Sequence, residues 1–243
     1  VGVFDENTLS SMLRDEVVLR YVEPNIFSVL PTDESGNEYD SQFGFVYDLI
    51  ACNPIYNRLI WGYSVKIFQE IAEEALRSSF QGYVLDLACG SLAFTAKIYA
   101  QHTDRPVVLV DQSLKMLRMA KSRLMKQNGN VPEHLVFLHS DARHLPFQKN
   151  TFATIISENL LHCLTDTGPL LKRLQDVIIP KGRIYFTTLI KNHRWADKYL
   201  AGLASSGKLV SRRLNDHTEQ FKNFDFAVTY ETVGNLLVIK CEK

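Results

Sequence analysis

From residue 82 onward, short apolar runs alternate with amphipathic stretches, the rhythm of β-strands joined by crossover helices around a parallel sheet. Tyr83-Val84-Leu85-Asp86-Leu87 is the first run, and Phe94 to Gln101 reads as the helix that follows. Pro106 to Asp111 is a second run, continuous enough to be buried on both faces. Ser113 is placed to cap the next helix, in which Leu114, Leu117 and Leu124 with Met116 and Ala120 make an apolar stripe. Leu135 to His139, Phe152 to Ile156 and Gly182 to Leu189 supply three further strands. Two closing runs, Phe224 to Tyr230 and Asn235 to Cys241, are joined by too few residues for a helix, so they must pair antiparallel.

The first 80 residues follow another pattern. An amphipathic helix is expected from Asp5 to about Arg20, an exposed loop from Pro31 to Gln42, and a second helix from about Ser64 to Ser79. Between them, Phe45 to Tyr63 is rich in aromatics and needs something apolar to cover. We expect it to be a lid, with Tyr47, Tyr56 and Trp61 facing a substrate. The chain therefore divides into a mainly helical N-terminal extension and lid, residues 1–80, and an α/β domain, residues 81–243.

Charge narrows the functions. Lys plus Arg and Asp plus Glu both total 27, so the formal charge is zero, whereas a duplex-binding protein carries a positive excess. No nucleic-acid partner is expected, and the basic side of the 114–126 stretch reads as a solvated helix face. With 46% hydrophobic residues, yet no run near the 18 or more apolar residues of a spanning helix, the chain reads as a globular, cytoplasmic protein. Cys52, Cys89, Cys163 and Cys241 are too scattered for a zinc site or redox pair and read as reduced thiols; no metal is expected. The pattern leaves the oligomeric state open.

Ligands of open parallel sheets bind outside the carboxyl ends of the strands, and three acids lie there. Asp86 precedes a small-residue turn, Leu87 to Leu92; Asp111 ends the second strand, where a carboxylate can accept both hydroxyls of a ribose. Asp141, just past the third, can take a hydrogen bond from an adenine amino group, with Ala142 supplying a backbone N–H. Together they outline an adenosine-shaped site.

The segments Val84 to Ser91, Leu109 to Leu117, Asp141 to Phe147, Phe152 to His162 and Ile179 to Arg183 resemble successive motifs of the class I S-adenosylmethionine-dependent methyltransferases. They are most similar to the small-molecule C-methyltransferases of ubiquinone and menaquinone biosynthesis. The resemblance implies a Rossmann-like, seven-stranded, mostly parallel sheet ordered 3-2-1-4-5-7-6, with S-adenosyl-L-methionine as cofactor and a small, apolar or aromatic methyl acceptor. Asp86 would hold the methionine amino group and Gly90, with Ala88 and Cys89, would let the chain pass close to the cofactor. Asp111 would bind the ribose, Asp141 the adenine, and Gln112 and Met116 would flank the ring. Ser157 would offer a carbonyl toward the methionine end, with Glu158 and Asn159 opening onto the transfer site.

Two expectations concern chemistry. If the acceptor needs deprotonation, Glu158 and His162, one turn apart if that segment is helical, are the leading acid–base pair; His139 and His144 rank below them. The family's Gly-x-Gly-x-Gly becomes Ala88, Gly90 and Leu92 here, and a branched Leu92 is expected to exclude the left-handed backbone that glycine allows. That departure keeps a second reading open, a catalytically silent methyltransferase-like binding or regulatory protein. A dinucleotide dehydrogenase is disfavoured, because Ala88 to Ala93 offers a single glycine where three are needed to seat a pyrophosphate.

Overall fold

The computed structural model describes residues 4–31, 52–77, 81–102 and 104–243. In chain order these form α1 (Glu6–Ser11), β1 (Arg20–Glu23), β2 (Ile26–Ser28), α2 (Pro54–Tyr56), which runs into a π-helical turn at Asn57–Trp61, and α3 (Lys66–Leu76). The central part is β3 (Tyr83–Leu87), α4 (Ala96–Gln101), β4 (Val107–Asp111), α5 (Leu114–Asn128), β5 (Leu135–His139), β6 (Phe152–Glu158) and α6 (Gly168–Val177). The chain closes with β7 (Ile178–Leu189), α7 (Ala196–Ser205), α8 (Leu214–Phe221), β8 (Ala227–Val233) and β9 (Leu236–Glu242).

Among the described residues the sheet has nine strands, ordered β1-β2-β5-β4-β3-β6-β7-β9-β8, in place of the seven expected. β2, β5, β4, β3, β6 and β7 run parallel, β9 and β8 close it as an antiparallel hairpin, and β1 is antiparallel to β2. Alternate residues of the buried strands serve opposite faces. Leu85 and Leu87 pack with Leu170 and Leu174 of α6 and Phe221 of α8. Val84 and Leu109 pack with Phe68 and Ile71 of α3, Tyr99 of α4, Leu117 of α5 and Leu200 of α7.

The N-terminal extension departs from the expected long helix. α1 stops at Ser11, and the chain then lies against the 145–148 segment, with the Arg14 N–H on the Pro146 carbonyl at 3.0 Å. Pro24 fixes one turn dihedral and Asn25 takes a left-handed φ of 67°, so Arg20 to Ser28 folds as a hairpin that caps the open edge of β5. Glu23 is held by Arg118 at 3.0 Å and Lys121 at 3.1 Å. The basic side of α5 is therefore partly spent on the hairpin rather than wholly solvated. The expected loop 31–42 lies, but for Pro31, outside the described residues, as does the expected boundary near residue 80.

Two tertiary locks set the geometry. At the hairpin tip Gly234 has φ +61° and a Cβ there would collide with the Trp61 carbonyl; next to it the Asn235 N–H donates to that carbonyl at 2.7 Å. At the opposite end of the sheet, buried Arg105 donates to the carbonyls of Gly82 (3.2 Å) and Ala75 (3.0 Å) and to Thr154 Oγ1 (2.9 Å). Its charge also faces the C-terminus of α3, where the helix dipole favours a cation. Arg105→Ala leaves two buried acceptors, the Ala75 carbonyl and Thr154 Oγ1, and the part-buried Gly82 carbonyl without this donor, and we expect it to lower unfolding free energy by roughly 2–4 kcal/mol. Urea denaturation checks this; ligand affinity of the folded fraction should not change, because Arg105 is remote from the strand ends.

Candidate functional site

A cavity of about 570 Å³ opens over the carboxyl ends of β3, β4 and β6, within the size range of small-molecule sites. Asp86, Ala88, Cys89, Gly90, Asp111, Gln112, Met116, Asp141, Ala142, Glu158 and Asn159 all line it. Of the sequence-derived residues, Ser157, His162, Tyr56 and Trp61 do not, and Tyr47 lies outside the described residues.

The turn after β3 sets the floor. Ala88, Gly90 and Leu92 have φ of 59°, 56° and 53°, left-handed at every second residue. This corrects the expectation for Leu92: the backbone reaches that conformation without glycine. The reason is burial, since Leu92 is 2% exposed and packs into the apolar layer shared by α3, α4 and β6. The turn is tied down by Asp111, whose Oδ2 accepts the Gly90 N–H at 2.8 Å while Oδ1 accepts the Ser113 N–H at 2.8 Å. Ser113 in turn caps α5, its Oγ accepting the Met116 N–H, which puts Met116 on the cavity wall.

Asp86 is buried beneath this turn and accepts a 2.7 Å bond from the Tyr99 hydroxyl, itself fully buried on α4. Burial pushes its pKa up to about 7, with the Tyr99 bond opposing and the Asp111 charge adding to the rise. Burial, reinforced by Asp86, also pushes Glu158 well above the ordinary carboxylate range. Asn159 follows with φ of 60°, so the end of β6 breaks strand alternation and places two consecutive side chains on one wall. Among the described residues, Glu158 Oε1, Asn159 Oδ1 and Ser140 Oγ are buried without a hydrogen-bond partner, and all three residues line the cavity.

Asp141 caps the short 3₁₀ turn Ala142–His144. Burial raises its pKa, but hydrogen bonds and charge from Arg143 outweigh that and the net shift is downward. Its carboxylate is thus already engaged by Arg143, at 2.7 Å from Nη2 to Oδ2.

Ser157 is fully buried and donates to the Leu87 carbonyl at 3.0 Å, joining β6 to β3 behind the cavity. His162 sits in a 3₁₀ turn, Leu161–Cys163, not on a helix shared with Glu158. Its Nδ1 accepts the Leu189 N–H at 3.2 Å and lies 3.1 Å from Thr188 Oγ1. Burial, with the nearby His217 and Arg212, lowers its pKa to about 4. This neutral imidazole packs against β7. Arg212 completes the brace, donating to the carbonyls of Leu161, Leu164 and Thr165. Tyr56 and Trp61 contact Tyr199 of α7 instead of the cavity, although Cys52 and Tyr63, on either side of their segment, do line it. Sequence reasoning missed Tyr63, Tyr99, Ser140 and Lys208; a tyrosine in an apolar helical face carries no mark of the carboxylate it will meet.

Leu92 permits a test in which two magnitudes oppose. Loss of the buried side chain in Leu92→Gly costs about 2–5 kcal/mol, while relief of the left-handed backbone returns about 1–2 kcal/mol. We expect net destabilisation, read as a lower midpoint in chemical denaturation.

Residues 84–182 match a family model described as a methyltransferase domain. A ubiquinone/menaquinone biosynthesis C-methyltransferase of Haemophilus ducreyi is 35% identical over 42% of this chain and 39% of its own length. Its counterpart in Cellvibrio japonicus is 28% identical over 69% of this chain and 66% of its own. The chain thus spans well under half of the first relative's length and just under two thirds of the second's. Phosphoethanolamine N-methyltransferase 2 of Haemonchus contortus, solved with phosphomonomethylethanolamine and S-adenosylhomocysteine, superposes with a TM-score of 0.65 at 17% identity, covering 85% of this chain and 58% of that one. The family match across the strand-end turns and the two C-methyltransferase relatives agree: residues 84–182 match a methyltransferase domain, and this part of the chain is similar to the ubiquinone/menaquinone biosynthesis C-methyltransferases.

Proposed function

We propose that this chain transfers a methyl group from S-adenosylmethionine to a small acceptor whose reacting region is apolar or aromatic. The observation that carries the reading is the set of buried acceptors on the cavity wall, Glu158 Oε1 and Asn159 Oδ1, which find no donor among the described residues. Buried acceptors of that kind are costly unless a ligand satisfies them. A cofactor that is cationic at its sulfonium and ammonium fits a wall holding Asp86, Asp111 and Glu158, so the residues present suit the group. In this reading Asp86, Glu158 and Asn159 face its methionine end, Asp111 its ribose, and Asp141 and Ala142 its adenine beside Gln112 and Met116. Residues 81–243 are then the cofactor-binding domain, and residues 1–80 the extension that carries the lid.

The cofactor supplies a methyl carbon already activated by positive sulfur, so the protein contributes alignment and exclusion of water. The turn at 88–92 brings backbone close to the bound nucleoside. Glu158 is the carboxyl at the transfer site; burial raises its pKa, and a cation beside it would favour the ionised form that can accept an acceptor's proton. We assign His162 no proton transfer: with Nδ1 held by β7 it positions Leu160, Cys163 and Leu164, which border the acceptor side of the cavity. Leu92, the feature that favoured a silent relative, carries a left-handed φ and so does not speak for that reading.

Asp111→Ala is expected to weaken S-adenosylmethionine binding at least tenfold by calorimetry, through loss of the ribose acceptor and of the Gly90 tether. Unchanged affinity would sink the ribose assignment, and absence of methyl release across a panel of phenolic and quinol acceptors would sink the transferase reading.

The pH dependence follows from Asp86. A neighbouring cation favours its ionised form, so below its pKa of about 7 binding must expel a proton. Affinity should therefore rise as pH increases toward about 7 and level off above it. Without ligand the sign is reversed for stability: the raised pKa favours the folded state below the unfolded value of about 3.9, and that contribution is lost as pH climbs to about 7. Tyr99→Phe removes the bond that opposes the rise, so the affinity profile should move to higher pH; calorimetry at several pH values reads both curves.

A further inference from the structure

Beside the cavity, the aromatic segment and α7 share an outer face that the transferase reading does not use. Ile55 is 70% exposed and Leu59 66%, four residues apart; Trp195, at the N-cap of α7, is 61% exposed and Tyr199 44%, again four apart. These four are most of the large apolar side chains exposed among the described residues; the others, Val18, Tyr21 and Met125, lie on different elements. The elements that carry the two pairs touch each other. Tyr56 Oη donates to Tyr199 Oη at 3.1 Å, and the Trp61 and Tyr199 rings lie 5.5 Å apart.

Charge on this face is one-sided, although the chain as a whole is neutral. Arg58 sits between Ile55 and Leu59, and Lys198 between Trp195 and Tyr199; both are exposed. The single acid of α7, Asp197, is turned inward, accepting from the Asn192 N–H at 3.0 Å and Asn235 Nδ2 at 2.7 Å. Exposed Trp, Tyr, Ile and Leu interleaved with cations that have no ion-pair partner among the described residues are the composition of a surface that rests in a lipid headgroup layer. A second copy of the chain is the poorer occupant, because a two-fold contact would set the same cations against each other.

We infer that the face formed by Ile55, Arg58, Leu59, Trp195, Lys198 and Tyr199 docks the protein on an anionic lipid surface. Insertion would be shallow, with the aromatic side chains at headgroup depth and Arg58 and Lys198 on lipid phosphates. Cys52 and Tyr63 flank α2 and its π-turn, and Gly207 and Lys208 follow α7; all four line the cavity, so the docked face adjoins its mouth. If the transferase reading holds, an apolar acceptor dissolved in lipid would have a short path to the site; the docking itself does not depend on that reading.

The test uses the full chain with vesicles of phosphatidylcholine alone or mixed with phosphatidylglycerol. Trp61 is 4% exposed, so a change in tryptophan emission on docking reports Trp195. We expect co-sedimentation with the anionic vesicles, a shift of emission to shorter wavelength that Trp195→Phe removes, and weakening at high salt. The double change Arg58→Gln and Lys198→Gln should weaken partitioning roughly thirtyfold, and Ile55→Ser with Leu59→Ser should abolish it. Protein that stays in the supernatant with anionic vesicles, or that binds neutral vesicles equally well, overturns the inference. So does a dimer in sedimentation velocity that Leu59→Ser dissociates. Calorimetry with S-adenosylmethionine on the same variants shows that they remain folded, and separates failure of this surface from failure of the cofactor assignment.

Discussion

Two backbone N–H groups converge on the carboxylate of Asp111, one from Gly90 in the turn after β3 and one from Ser113 at the head of α5. Two neighbouring strand ends are thereby joined through a single side chain. The left-handed turn at 88–92 owes its position to that link, and the cap of α5 begins there as well. A carboxylate offers about four acceptor sites, so one side chain can bind more than the two amides that anchor it. The side chain that shapes the pocket also lines it.

Around that link the protein has gathered buried carboxyl groups. Asp86 and Glu158 are buried within reach of one another's field, and among the described residues the groups named as acting on them, Tyr99, Asp111 and Cys89, include no cation. Desolvation in such a place favours the protonated forms. The cluster is accordingly a poor device for holding the fold together and a good one for recognising a cation, since the arriving charge relieves a cost already present. Arg143 marks the contrast: at Asp141 the chain supplies its own counter-charge, and that carboxyl stays ionised.

Much of this was legible in the sequence because it rests on local chemistry. Continuous Val and Leu runs announce buried parallel strands, Ser113 announces a helix start, and an acid at a strand end is placed by the sheet itself. The failures share a cause, in that long-range packing overrode a local preference. Asp5 to about Arg20 reads as one amphipathic helix, yet the helix stops at Ser11 and the chain runs on into a hairpin that fills the vacant edge of β5. Leu92 looks incompatible with positive φ until its side chain is seen buried, and His162 looks poised for proton transfer until β7 takes its free nitrogen. Tyr99 was invisible for the same reason: its partner lies 13 positions away on the neighbouring strand.

The pairing of β2 with β5 has a consequence for how the chain assembles. Ser28 and His139 meet across a separation of 111 residues, so the hairpin leaves the ribosome long before its partner exists. Until then Ile26 and Phe27, both destined for burial, have no sheet to join. Closing so long a loop is slow relative to local helix formation. The N-terminal hairpin is therefore expected to dock late in folding, and an unfinished chain would carry a sticky strand in need of shielding by chaperones.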